Sequence, residues 1–540
     1  MSFFYRVVPA METLSSLLRD RLGQQPPLPL RKQKKKSTPK VDVYNLHPTG
    51  WESDPEDEYH QADKHKIVEV LKQGLEITLS QCRRLCGTLK EHPEGSGEGE
   101  LCFHKRRDDT VEFHVQWLDG TNTNDNDDGD EKYPSYADFE RQHFSTRAFG
   151  PDLNLWCVAP MTPAEKPSNR PENKPKAASF KASFIPGDGL VLMMMHHHLA
   201  NDVTGWAGEL HQLAENCAAI WAASASASGV TVTSAATLPE LPPWDPACLD
   251  LSRVTAPDPP ADQLVDGPPR PSRHPDQRAA SRLLFHIPRS KLLELKRLAT
   301  PVLAPAADES TSDNCNWISS YDALNAYLLR VLLKHKARLH KSDPEALVEW
   351  VEAVDVRRRL CDASGKPMPA RTQGNVIAVA IASRSTQIVP QFTIKDIVEE
   401  VPFPKLAWYI RQLTNSITPT AIGAMLSGIA HIRNKLTLYA GSDIFPPTTL
   451  LVTDWRDADP YTADFGFGCP SGFQCPWDSV TGGLVVIYPP RPAAVGESPG
   501  GEDEGNEISL AVEKELVWDL LADPKWNRVF EFRGVEVEDE

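Results

Sequence analysis

Three consecutive histidines, His196, His197 and His198, are followed by Asp202 and then Gly205. They close an apolar run, Leu190 to Met195, that starts after a Gly187-Asp188-Gly189 turn. Beyond them Trp206, Leu210, Leu213, Cys217 and Ile220 recur at helical spacing. The histidines therefore sit where a buried strand ends and a helix is about to begin. A sheet holds such a side chain rigidly. Its neutral imidazole accepts a proton near neutral pH, since the reference pKa is about 6.5. A carboxylate four residues on, after a chain reversal, fixes the loop or the ring, directly or through an arginine. Gly205 permits a close approach of the helix start, and Asn201 or Asp202 is placed to cap it. The pattern suits a general base that takes a proton from an acceptor hydroxyl.

Other readings compete for the same residues. A buried polar cluster without function is one, but three histidines at the end of an apolar strand are costly to bury. A metal site from His196, His198 and Asp202 is another, since strand alternation puts His196 and His198 on one face. No HExxH or cysteine cluster supports it, so no metal is expected. A calcium loop at 119–131 fails: with Gly129 sixth, the twelfth position is Ser135, where a bidentate glutamate is needed. The Met193-Met194-Met195 run reads as sheet core. Cys469 and Cys475 have no base paired with them in sequence, so a structural role is expected.

The elements around the site alternate between helix and strand. Leu14, Leu17, Leu18 and Leu22 predict a first helix. Residues 64–86 predict a long second one, with Cys82 and Cys86 in phase with Ile67, Leu71, Leu75 and Leu79. Ser290 is expected to cap a helix with Leu292, Leu293 and Leu298 inward. Ser319 or Ser320 is expected to cap another, with Leu324, Tyr327, Leu328, Val331 and Leu332 on one face. Strand-like runs are 190–197, 376–382, 449–455 and 483–489. Residues 493–507 read as a polar loop. This is a mixed α/β protein.

The chain has 540 residues, too many for one ordinary core, so two large domains are expected. Its 47 prolines cluster at 162–176 and from about 224 to 277. Proline lacks the backbone donor, so the longer stretch predicts a crossover linker. The expected division is 1–223, a linker at 224–280, and 281–540. Net charge is −17. An acid excess argues against nucleic-acid and anionic-membrane binding. Fourteen acids lie in 119–131, 502–507 and 536–540, where there is no Lys or Arg, so the excess belongs to loops and a tail. The RKQKKK run at 31–36 reads as a solvated loop. No apolar run approaches the roughly 20 residues a bilayer needs, and the start lacks a basic n-region before an apolar core. Ten cysteines without a CxxC pair fit a reducing cytosol.

His197-His198-Leu199-Ala200-Asn201-Asp202, with Gly205 following, resembles the HHxxxDxxG pattern of the BAHD acyltransferases and their fungal relatives, the trichothecene 3-O-acetyltransferases. Asp464-Phe465-Gly466-Phe467-Gly468 resembles the DFGWG motif of that family, with Phe467 replacing tryptophan. Val452-Thr453-Asp454-Trp455 resembles its (V/I)TSW strand, with aspartate replacing serine. Val354 to Leu360 resembles VDxRxRL, Gly374-Asn375 a following GN, and Tyr321-Asp322-Ala323-Leu324 the opening of a second-domain helix. The resemblance runs in order over most of the chain, from about 10 to 530.

It implies two chloramphenicol-acetyltransferase-like domains, each a mixed β-sheet flanked by helices, joined by a long crossover loop. It implies an acyl-CoA-dependent O-acyltransferase, with acetyl-CoA as cosubstrate and a hydroxyl of a secondary metabolite as acceptor. His198 would be the base at the domain interface. Asp202 would point away and support it, bound to Arg357 or Arg359. Gly205, Asp464, Gly466 and Gly468 would be structural. Thr453 and Trp455 match positions that line the acyl-CoA and acceptor pocket. No bound cofactor is implied, and the enzyme is expected to be a cytoplasmic monomer without a nucleic-acid or membrane partner. The alternative is a condensation-type enzyme that takes the acyl group from a carrier protein.

Overall fold

A computed structural model describes residues 41–46, 58–91, 101–119, 133–158, 175–225, 259–300, 317–433, 442–491 and 505–539, with short breaks inside some ranges. The helix expected around Leu14 to Leu22, the 31–36 basic run, the acid loop beyond 119 and most of both proline clusters lie outside the described residues.

The first part of the chain supplies β1 (Val41–Leu46), α1 (Glu58–Gln81), β2 (Thr88–Glu91), β3 (Leu101–His104), β4 (Val111–Trp117), α2 (Tyr136–Arg141), β5 (Ala178–Ile185), β6 (Gly189–His196) and α3 (Val203–Ala225). Four strands form one sheet, in order β1-β4-β5-β6. β1, β4 and β5 are parallel, and β6 closes the edge antiparallel to β5. β2 and β3 make a small antiparallel pair.

The second part supplies β7 (Ala280–Pro288), α4 (Arg289–Ala299), α5 (Ser320–His340), β8 (Trp350–Asp355), β9 (Ile377–Ile381), α6 (Phe403–Ser416), α7 (Pro419–Ala430), β10 (Leu450–Asp454), β11 (Leu484–Pro490), β12 (Gly505–Glu513) and β13 (Glu531–Glu538). Seven strands form the second sheet, in order β13-β7-β12-β11-β10-β8-β9. Its centre is parallel, β8-β10-β11, and its outer strands are antiparallel. Both sheets are mixed and carry helices, the expected α/β class.

Helix formation follows the apolar period. Leu71, Leu75 and Leu79 of α1 are completely buried. α5 opens on a capping box in which the Ser319 hydroxyl and the Asp322 carboxylate satisfy each other's backbone amides. α4 corrects the expectation. It starts at Arg289 after Pro288, without a serine cap. Leu292, Leu295 and Ala299 face inward, while Leu293 and Leu298 are 54% and 45% exposed. The inward set follows the 3.6-residue period, which puts Leu293 and Leu298 around the outer side.

Two loop assignments also change. β12 begins at Gly505, so the tail of the 493–507 stretch is strand. Within the proline-rich crossover, Val265 exchanges backbone hydrogen bonds with His431 and Arg433, and the His274 amide donates to Asp443. The end of the crossover is thus fastened to the second part of the chain.

One apolar cluster spans both parts. It joins Leu71, Phe180, Met194 and Trp206 to Val351, Trp455, Phe465 and Val486. The end of β6 and the start of α3 lie on this shared core.

Candidate active site

β6 ends at His196, and the chain reverses through 197–202 before α3 begins. Asp202 caps that helix: its Oδ1 accepts the Gly205 amide at 2.7 Å, and its carbonyl accepts the Trp206 amide. The same carboxylate accepts Arg357 Nη2 at 2.9 Å, Arg357 Nη1 at 3.0 Å and the Val376 amide at 2.7 Å. Arg357 is 1% exposed and also donates to the carbonyls of Thr372 and Gly374. Burial opposes its charge, but Asp202 and Asp355 hold its pKa above the usual arginine value. Arg359 does not join. It donates to the carbonyls of Thr414 and Ile417 at the end of α6.

His198 stands between the buried strand and this ion pair and is half-buried. Burial lowers its pKa from the usual 6.5, opposed by a hydrogen bond to its own backbone carbonyl and by the charge of Asp202. That carbonyl also accepts Asn375 Nδ2 at 2.6 Å. A ring that donates one N–H to a carbonyl presents its other nitrogen as an acceptor when neutral. This is the form a base needs. His197 differs: it is buried, Nδ1 accepts the Leu199 amide at 3.1 Å, and burial pushes its pKa down to about 4.

His196 is the buried last residue of β6. Its Nε2 lies 2.6 Å from Glu209 Oε2, and its Nδ1 is 3.0 Å from Asn201 Nδ2. Asn201 also donates to Gln373 Oε1 and accepts from Arg84 Nη2 and the Gly374 amide. Asn201 was expected only as a possible helix cap, and Glu209, Arg84 and Gln373 were not expected at the site. Arg84 and Gln373 lie far from the histidines in sequence, so spacing carries no trace of them.

Thr453 and Trp455 form a separate pair at the end of β10. Trp455 Nε1 donates to Thr453 Oγ1 at 3.0 Å, so the hydroxyl keeps its own proton to donate elsewhere. Trp455 is buried among Phe473, Trp477 and Tyr488. None of these bonds reaches the 197–202 loop. The 464–468 turn packs against α3 instead. Asp464 Oδ1 accepts the Gly466 amide, Phe465 donates to Gly468, and Phe467 meets Trp221 edge-on. Gly466 has φ +84, and a Cβ there would lie 2.8 Å from Trp221 Cβ.

A cavity of ≈310 Å³ lies nearer the start of β6, lined by Leu190, Leu192, Trp206, Phe465, Phe467 and Phe473 among others. Leu192 precedes His196 by four residues, roughly 13 Å of extended strand, and His198 is not in the lining.

Residues 56–217 match the model of the trichothecene 3-O-acetyltransferase-like N-terminal domain, and residues 243–511 match that of the transferase family. Acetyltransferase FGR3 of Gibberella zeae is 41% identical over 521 residues, which cover 92% of this chain and 95% of that one. The chain belongs to the BAHD-type acyltransferase family. Trichothecene 3-O-acetyltransferase TRI101 of Fusarium sporotrichioides is 23% identical over 525 residues, 95% of this chain and 96% of that one. The fold matches the structure of F. graminearum TRI101 complexed with coenzyme A and deoxynivalenol, with a TM-score of 0.62, 19% identity, and coverage of 90% and 94% of the two chains. This acyltransferase therefore shares the two-sheet fold of that enzyme. Among its described residues, no helix is long and apolar enough to cross a membrane.

Proposed function

We propose that this acyltransferase moves an acetyl group from acetyl-CoA to a hydroxyl of a secondary metabolite, with His198 as the general base. The single observation that carries the role of His198 is its setting. A half-buried imidazole with a lowered pKa sits on a loop whose neighbour, Asp202, is consumed by four donors. Asp202 has no lone pair to spare for substrate, so His198 is the group left to take the proton. The acyl donor and acceptor class rest on the acetyltransferases that match over the whole chain.

The step balances without a covalent enzyme intermediate. His198 takes the hydroxyl proton while the oxygen attacks the thioester carbonyl. The tetrahedral oxyanion that forms needs a donor within about 3 Å, and the Thr453 hydroxyl is the candidate. Collapse breaks the C–S bond, and imidazolium returns its proton to the CoA thiolate. Ester and free CoA leave. We assign Gly205, Arg357, Asp464, Gly466 and Gly468 to holding the loop and α3, and Trp455 to holding Thr453. Arg359 fastens α6. The enzyme is a cytoplasmic monomer in this reading, with domains at 1–223 and 281–540 around the crossover.

Purified enzyme incubated with acetyl-CoA and a panel of hydroxylated natural products tests this, with free CoA thiol as the readout. Acceptor-dependent thiol release is expected. Transfer from an acyl-loaded carrier protein, with none from acetyl-CoA, would favour the condensation-type reading instead.

A further inference from the structure

We propose that Asn201 is a positioning residue that clamps the His198 loop between the two halves of the enzyme, backed by a Glu209–His196 pair. The proposal rests on His198 being the base.

The side chain of Asn201 uses its full bonding capacity. Its oxygen accepts Arg84 Nη2 at 2.7 Å and the Gly374 amide at 2.7 Å. Both partners only donate, which fixes the amide orientation. Its nitrogen donates to Gln373 Oε1 at 2.8 Å and faces His196 Nδ1 at 3.0 Å. On its other side His196 Nε2 lies 2.6 Å from Glu209 Oε2. Asn201, Glu209 and His196 are 1%, 0% and 3% exposed. The bonds join β6, the turn after α1 and the 373–374 segment at a single amide, and α3 reaches it only through Glu209 beside His196.

The 373–376 segment touches the base loop at every residue. Gln373 and Gly374 hold Asn201, the Asn375 amide holds the His198 carbonyl, and the Val376 amide holds Asp202. The charges also balance. Glu209 faces the half-buried Arg84 across His196 and Asn201, as Asp202 faces Arg357. The alanine that precedes Asn201 and the leucine before it offer no polar side-chain group, whereas Asn201 and Asp202 each bond to both halves. Asp202 sets the helix; Asn201 sets the register of the loop against Gly374.

Substitution separates positioning from mere support. Asn201→Ala removes all four bonds, and kcat is expected to fall about 100-fold with KM for acetyl-CoA within about twofold of the parent. Asn201→Asp keeps the two acceptor bonds but sets an oxygen against His196 Nδ1 and Gln373 Oε1. Turning the Gln373 amide restores one of the two lost donor bonds.

The kcat of Asn201→Asp should therefore lie between those of the parent and Asn201→Ala, about 10-fold below the parent, with KM for acetyl-CoA again within about twofold. Thermal unfolding of each variant reports the fold, and if Asn201→Ala is insoluble the isosteric Asn201→Asp decides alone. Turnover of Asn201→Ala within about twofold of the parent, or an Asn201→Asp kcat no higher than that of Asn201→Ala, would overturn the clamp. His198→Ala is run alongside. If it keeps parental turnover, the base assignment falls; if it is inactive while Asn201→Ala is not, only the clamp falls.

Discussion

The proposed base role of His198 needs a neutral ring with one nitrogen able to accept. Burial supplies the first condition and its own carbonyl supplies the second. Its neighbour Asp202 is spent on structure, so the Arg357 pair is a stability element as much as a catalytic one. Replacing Arg357 by methionine leaves a buried carboxylate without its cation. Urea unfolding should show a loss of ~3–5 kcal/mol. Arg357→Lys keeps the charge but not the bidentate geometry, so it should lose less stability yet still lower kcat. A second buried group lies apart from the site. Burial pushes the Glu352 carboxyl up to about 7, although Thr414 and Tyr321 donate to it at 2.6 and 2.9 Å. A carboxyl with a raised folded pKa favours folding below its unfolded value near 4.3 and loses that contribution as pH rises through about 7. Glu352→Gln does not titrate. Its stability relative to the parent should rise between about pH 4.5 and pH 8, measured by urea unfolding at each pH.

Among the elements, α3 carries the most. Its first turn is capped by Asp202, and its far end is pinned by the 464–468 turn. Gly466→Ala would force a Cβ into Trp221 from a left-handed backbone angle. The cost should be ~1–3 kcal/mol of stability, with kcat per folded molecule nearly unchanged, as active-site-normalised turnover would show. Such a result would separate the turn from the reacting atoms. The strands explain what sequence reading reached. β6, β9, β10 and β11 are apolar runs and stand out. β5 reads ASFKASFI and is buried throughout, because Lys181 Nζ donates to the carbonyls of Leu155 and Cys157. β8 buries Glu352 in the same way. Polar residues with long-range partners hid both strands. The His198 and Asp202 pair stood out in the sequence because its spacing is local. Asn201 was read only as a possible cap, since Arg84 and Gln373 reach it from distant segments. The two candidate arginines differ by one contact set, which only the fold could separate.

Across the whole molecule, the two sheets share one apolar cluster, and Leu199 and Ala200 of the 197–202 loop belong to it. Function therefore needs both halves in register. A fragment of residues 1–230 keeps β6 and His198 but exposes Trp206 and Met194, which pack with Phe473, Trp455 and their neighbours in the intact chain. It is expected to be insoluble or molten, with near-UV circular dichroism lost and neither half active alone. Coexpression with residues 231–540 should restore some turnover if the seam carries the fold. A well-folded isolated first half would contradict that.

The central claim is that His198 takes the acceptor proton. Turnover of His198→Ala, measured by CoA thiol release on protein whose thermal unfolding matches the parent, tests it most directly. The base role predicts a fall in kcat of about 10²–10⁴-fold. In the parent, kcat should decline only below the usual imidazole value of about 6.5, because burial has lowered the His198 pKa. Near-parental turnover of the folded variant would contradict the account.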